Sequence, residues 1–177
     1  MQRHDLQGEN TSMTRHPSQR GHFAYELNKL MFKNKKIYLL MGDLGYGMFD
    51  HLRERFPDRV INTGAAEQAL VDIGIGLALE GKIPVCYSIT PFILYRPFES
   101  LRTYINHEKI AVKLIGGGRD KDYLTDGMSH WSHDDKDFMQ HFKNIESYWP
   151  ETKEEITDKF VEKLLTNDKA VYLNLKR

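Results

Sequence analysis

Only one cysteine, Cys86, occurs in the sequence, and a lone thiol supplies neither a disulfide framework nor a thiolate zinc site. A reducing cytoplasm is the simplest expectation. Neither sign of charge is in excess, because 25 lysines and arginines face 25 aspartates and glutamates. No general field therefore draws in nucleic acid or an anionic membrane, and partners must be recognised locally. Long apolar runs are missing too, and "MQRHDLQGENTSMTRHPSQRG" is polar where a signal peptide needs an apolar centre. Residues 1–20 are expected to form a mobile arm ahead of one domain over residues 21–177, with Met13 as a possible internal start. Internal repeats and low-complexity segments are absent as well.

What is present fits one compact core: 177 residues, 40% hydrophobic and 11% aromatic. "HFAYELNKLMF" places Phe23, Leu27, Leu30 and Met31 at helical spacing, and "KKIYLLMGD" follows as a short strand. "MFDHLRERF" reads as a helix, "DRVINTG" as a strand, and "EQALVDIGIGLALEG" as a helix closed by Gly81. The alternation continues with strand "KIPVCYSI", helix "PFESLRTYINH", strand "KIAVKLIGGG", helix "DDKDFMQHF", amphipathic helix "KEEITDKFVEKLLTN" and strand "AVYLNL". Runs such as "IYLLM" and, apart from Lys113, "AVKLI" are continuous instead of alternating, as strands covered on both faces must be. The expectation is a three-layer α/β/α sandwich with a mainly parallel sheet. Ligands in such folds bind beyond the carboxyl ends of the strands. "GDLGYG", "NTGAAEQ", "TPFILYR" and "GGGRDKDYLTDGMSH" would then share one edge.

Within those stretches each candidate has a plainer reading. Glu67 opens a helix containing Ala69, Leu70, Ile73, Leu77 and Leu79, expected to be buried almost all round, with Gly74 and Gly76 allowing close backbone approach. It is either a first-turn acid favoured by the helix dipole or a buried carboxyl that exchanges a proton with a bound base. "GGGRD" could cradle a phosphate, but no lysine and hydroxyl residue follow in P-loop order, so a tight loop against a neighbour reads better. His130, His133, Asp134 and Asp135 have a spacing that could ligate a metal if helical, although three or four ligands must converge. Histidines and aspartates at an exposed helix start are the commoner case. Phe92, Tyr95 and Phe98 serve either as core or as an aromatic platform.

Taken together, "NTGAAEQALVDIGIGLALEGKIPV", "PFILYRPFESLR", "VKLIGGG" and "DGMSH" resemble, in order and spacing, the pyrimidine-binding domain of transketolase-like thiamine diphosphate enzymes, over roughly residues 20 to 175. The resemblance implies that Glu67 contacts the cofactor's aminopyrimidine. A carboxyl group donating to that ring favours the imino tautomer, whose exocyclic nitrogen takes the thiazolium proton. Phe92 would stack on the pyrimidine, with Tyr95 and Arg96 near the ring or the domain interface. Asp43 and Leu44 match the family's loop near the thiazolium, and Asp126 and His130 match positions facing a sugar substrate. Glu67 and His130 are the implied catalytic residues, and no metal ligand is assigned to this chain.

The sequence departs from the family in three places. Ile89 stands where an aromatic is usual, Trp131 replaces a common glutamine, and Gly118 stands where a substrate histidine is expected. The Gly-Asp-Gly stretch and paired asparagine that hold the diphosphate through magnesium are also absent. The resemblance therefore implies half a cofactor site. It points to a subunit of a split enzyme that transfers a two-carbon ketol unit between sugars and pairs with a diphosphate-binding subunit as α2β2, magnesium lying mainly with that partner. Two alternatives are a deoxyxylulose phosphate synthase-like or oxoacid-cleaving enzyme, and a non-catalytic structural or regulatory partner.

Overall fold

The computed structural model describes residues 16–177. Most of the expected arm, residues 1–15, lies outside the described residues, and the arm's last two residues already belong to a helix. This first helix, α1, spans Gln19–Lys33. Ser18 caps it by accepting from the Gly21 N–H, and Lys33 closes it near the negative end of the helix dipole. The Gln19 side chain is buried, donating to the Pro150 carbonyl and accepting from the Lys176 N–H. The domain thus begins slightly earlier than the polarity of the sequence indicated.

Six strands follow: β1 Ile37–Met41, β2 Val60–Asn62, β3 Ile83–Ile89, β4 Lys113–Gly117, β5 Ile145–Tyr148 and β6 Ala170–Leu175. They form one sheet in the order β2-β1-β3-β4-β6-β5. Every adjacent pair is parallel, so the ends of β1, β2, β3 and β4 share one edge, as expected. β5, "IESY", was not foreseen. It is an edge strand whose last three residues are only half-buried, which hides it from any search for apolar runs.

Side chains alternate along each strand between two cores. Ile37, Leu39, Met41, Val85, Tyr87, Ile115, Val171 and Leu173 meet α1, α2 (Asp50–Arg55) and α7 (Asp158–Thr166) on one face. Leu40, Cys86, Leu114 and Tyr172 meet the other layer. That layer comprises α3 (Glu67–Leu79), α4 (Thr90–Tyr95), α5 (Phe98–Ser100) and α6 (Asp135–Met139). This is the three-layer α/β/α arrangement. Burial in the second core pushes the Cys86 thiol well above its ordinary range, so Cys86 acts as packing.

Three elements depart from expectation. "TPFILY", assigned no element of its own in the sequence, is α4: Pro91 sits in the first turn, where its fixed φ suits a helix start. "PFESLRTYINH" is helical but widens into a π-helix over Leu101–His107. α3 is not buried all round, since Ile73 and Leu79 are 42% and 69% exposed. Its inner face is close-packed at Gly74, where a Cβ would lie 2.7 Å from Cys86 Sγ, whereas Gly76 faces open space.

A buried lysine gives this fold a measurable pH signature. Lys113, at the start of β4, is 1% exposed, and its ammonium donates to the Asn167 carbonyl, the Asn167 side chain and the Lys169 carbonyl. Burial pulls its pKa from 10.5 down to about 8. Between those values the unfolded chain binds more protons than the folded one, so stability from this group rises with pH across that window and is lowest below it. Melting curves from pH 7 to 9 should show the wild type gaining about 1 kcal/mol relative to Lys113→Met, whose stability lacks this titration. Parallel curves would refute the assignment.

Candidate active site

The loop after β1, the start of α3, the end of β3 and helix α4 converge on the carboxylate of Glu67. Glu67 is the first residue of α3 and 2% exposed. Ser88, near the end of β3, donates to its Oε1 at 3.0 Å, and Arg96 Nη1 donates to its Oε2 at 2.6 Å. A Cβ at Gly42, just beyond β1, would come within 3.1 Å of Oε1. Only glycine there leaves the carboxylate its room. Glu67 therefore does more than favour the helix dipole, because it is withdrawn from water and bonded on both oxygens.

Phe92 and Arg96 lie one helical turn apart on α4 and its C-cap. The guanidinium carbon of Arg96 sits 3.6 Å from the Phe92 ring centroid. His130 meets the same ring edge-on at 4.9 Å, and its Nδ1 lies 2.9 Å from Ser129 Oγ. Glu67, Arg96, Phe92 and His130 thus form one contiguous group.

Asp43 borders the group through the loop it shares with Gly42. It adopts φ 52°, a left-handed conformation uncommon for a non-glycine residue. Asn62 locks it there, accepting from the Asp43 N–H at 3.0 Å and donating to Oδ1 at 3.1 Å, and Tyr46 donates to the same oxygen. The Tyr46 hydroxyl and then Asn62 hold the Asp43 carboxyl below the usual range. Leu44 packs against the first core while its carbonyl accepts from Arg53.

Two expected site residues lie apart. Tyr95 turns its ring against Phe138 and donates its hydroxyl to Asp134 at 2.7 Å. Asp126 is exposed, at the end of a short 3₁₀ turn two residues before the one carrying His130. The four residues considered for a metal also diverge. His130 faces Phe92, His133 faces Trp131, Asp134 accepts from Tyr95, and Asp135 is buried. Among the described residues, no three histidine, cysteine, aspartate or glutamate side chains gather as a metal site.

Several residues around the site escaped the sequence reading. Ser88 was a legible signal, a small aliphatic hydroxyl in the otherwise largely apolar strand "IPVCYSI". Tyr123 was not: its ring would come 2.3 Å from a Cβ at Gly118, which has φ +92°, and it packs 5.8 Å from His130. Gly116 and Gly117 likewise pack close to Thr90 and Tyr87. The triple glycine is a close-approach segment and not a phosphate cradle. Asp135 Oδ2 accepts from Trp149, Tyr172 and Asn174 at 2.9, 2.7 and 2.7 Å. Asn174 in turn donates to Thr90, whose hydroxyl donates to the Gly118 carbonyl. This network ties the start of α4 to the loop that carries His130.

Known proteins are similar to this chain in sequence and in fold. The family described as transketolase, pyrimidine binding domain, matches residues 16–177. An apulose-4-phosphate transketolase subunit of Actinobacillus succinogenes is 36% identical over 102 residues, covering 58% of this chain and 33% of that protein. The 6-deoxy-6-sulfo-D-fructose transketolase subunit of a Clostridium species is 27% identical, the match covering 82% of this chain and 45% of that protein. A solved structure, a split gene transketolase described as an inactive beta4 tetramer, superposes with a TM-score of 0.79 at 28% identity, over 90% of this chain and 51% of that one. The chain spans about a third to a half of these relatives. With a family match running from the residues just before α1 to the end of β6 and beyond, the chain belongs to the transketolase pyrimidine-binding domains.

Proposed function

We propose that the chain is the pyrimidine-binding subunit of a split transketolase-like enzyme. It would transfer a two-carbon ketol unit from a ketose to an aldehyde, with thiamine diphosphate shared with a diphosphate-binding partner subunit. The partner would hold the magnesium, and two copies of each subunit would assemble in the cytoplasm. The observation that carries this reading is the buried Glu67 carboxylate beside the face of Phe92. A flat, nitrogen-rich group fits between them, because the Arg96 guanidinium lies on the ring while donating to Glu67. The donor chemistry of an aminopyrimidine suits the same two partners.

Thiamine diphosphate, when bound, supplies a carbon nucleophile that cleaves and carries the ketol fragment. The chain's own contribution is local. Glu67 would hold the pyrimidine and exchange a proton with it, while Ser88 fixes the carboxylate through Oε1. Phe92 would give the ring a stacking surface. His130, one ring contact further out from Phe92, would meet the substrate's hydroxyls. Asp43 and Leu44 would border the thiazolium, and Asp126 lies further out in the same loop. Tyr123 over Gly118 fills the room the missing family histidine would need, which favours a sugar preference different from that of other transketolases.

The chain alone should show no ketol transfer and should bind thiamine diphosphate weakly, while a diphosphate-binding partner restores both. Tight, magnesium-dependent binding by the isolated chain in calorimetry would refute the split-subunit reading.

Glu67→Gln keeps size and hydrogen bonding but cannot exchange the proton. With the partner present, turnover should fall roughly 10²–10⁴-fold. The melting temperature should hold or rise, because a buried ionisable group is neutralised while its size and hydrogen bonding are kept. Intact turnover with a lowered melting temperature would return Glu67 to a structural role.

Restoring the family histidine by Gly118→His should fail on its own. The positive φ and the Tyr123 contact predict a loss of about 2–4 kcal/mol in denaturant titration. Pairing it with Tyr123→Gly should recover part of that loss. A fully stable single variant would contradict this account of the loop.

A further inference from the structure

Arg96 makes both of the contacts that a bound pyrimidine would need. Its guanidinium covers the Phe92 ring at 3.6 Å, and its Nη1 takes Glu67 Oε2 at 2.6 Å. The other carboxylate oxygen already accepts from Ser88. A second flat group cannot lie on the ring face that the guanidinium covers, so for a pyrimidine to stack there Arg96 must leave. The side chains differ in their freedom to do so: Arg96 is 46% exposed and Glu67 only 2%. Glu67 is fixed at the head of α3, whereas Arg96 hangs at the C-cap of α4 with water beside it.

We propose that Arg96 is a resident occupant of the pyrimidine position, pairing with the buried Glu67 until the cofactor ring displaces it. The proposal rests on the reading above of this position as a pyrimidine site. It gives Arg96 a role opposite to that of a cofactor-holding residue. A guanidinium is suited to it, being planar, permanently charged, weakly hydrated and able to stack and donate at once. An unpaired carboxylate withdrawn from water would be costly, and Arg96 relieves that cost without closing the site. The consequence is a loss in apparent affinity, since the ring binds only the fraction of molecules in which Arg96 has swung away.

The test uses the chain as it is, with the pyrimidine half of the cofactor, 4-amino-5-hydroxymethyl-2-methylpyrimidine, as probe. Saturation-transfer NMR titrations would compare the wild type with Arg96→Met and Arg96→Lys, all checked for folding by circular dichroism. Arg96→Met keeps an apolar stem but neither stacks a cation nor donates, and it should bind the probe roughly 3–10-fold tighter. Arg96→Lys, charged but not planar, should fall between. In the wild type, the Arg96 guanidinium resonances should shift to solvent-like values as probe is added. Equal or weaker binding by Arg96→Met, with the wild type still binding, overturns this inference and leaves the functional reading standing. Binding by none of the three at about 10 mM probe, beyond the millimolar range of weak ligands, overturns both. Loss of the fold in both variants also overturns it, because a displaceable side chain is not one the fold depends on.

Discussion

A carboxylate held out of water at the carboxyl edge of a parallel sheet has to be given donors, and meeting that demand for Glu67 organises the surrounding chain. The donors come from two elements: Ser88 at the end of β3 and Arg96 at the end of α4. The room comes from a third, the turn after β1, where Gly42 has no side chain to press on Oε1. That turn then places Asp43 in a left-handed conformation secured by Asn62 at the end of β2. Four segments distant in sequence are thus fixed by the needs of one side chain. Any shift in the register of β1 or β3 would disturb it directly.

A second buried carboxylate secures the opposite wall. Asp135 takes three donors on one oxygen, and through Asn174 and Thr90 its network reaches both the first residue of α4 and the Gly118 carbonyl. Arg119 adds bonds to the Asn174 side chain, the Asn174 carbonyl and the Pro150 carbonyl. A fully satisfied buried network of this kind rigidifies its surroundings, because each unmade bond would cost a full desolvation. Phe92 and His130 meet at a repeatable distance since both of their segments hang from it.

The layers and the sheet edge where Glu67, Arg96, Phe92 and His130 gather were legible in the sequence because they follow from one-dimensional patterns. Continuous apolar runs marked the buried parallel strands, and a lone glutamate ahead of the "ALVDIGIGLAL" run marked the site. Ser88 was legible by the same logic, as a hydroxyl where the strand should be apolar. What could not be read was set by partners distant in the chain. Tyr123 closing over Gly118 and Asp135 joining Trp149, Tyr172 and Asn174 are tertiary facts with no local signature. β5 is hidden because an edge strand with a half-buried sequence has no apolar run. α4 drew no element assignment because Pro91 and the short span conceal a helix that packing supports. Tyr95, which the resemblance sets near the ring or the domain interface, turns its ring towards Phe138 and its hydroxyl towards Asp134 through contacts that no local pattern encodes.

The outer face of α3 is the remaining departure from a self-contained domain. Ile73 and Leu79 of α3, Phe98 of α5 and Tyr104 of the π-helical segment each stand exposed on the layer that carries Glu67 and Arg96. Burying side chains of this kind releases about 1.5–3 kcal/mol each, a gain the isolated chain forgoes. The same layer leaves the Arg96 side of the Glu67 pair open to water, where electrostatic contacts are weak. Under the proposed function these two features have one origin. A surface laid against α3 and α5 would cover the apolar residues and also lower the dielectric around Glu67, which strengthens the hydrogen bonds a proton-exchanging carboxyl depends on. Subunit contact and activation of the site would then be one event, with the half-exposed Arg96 side of the pair as the part left for contact to cover.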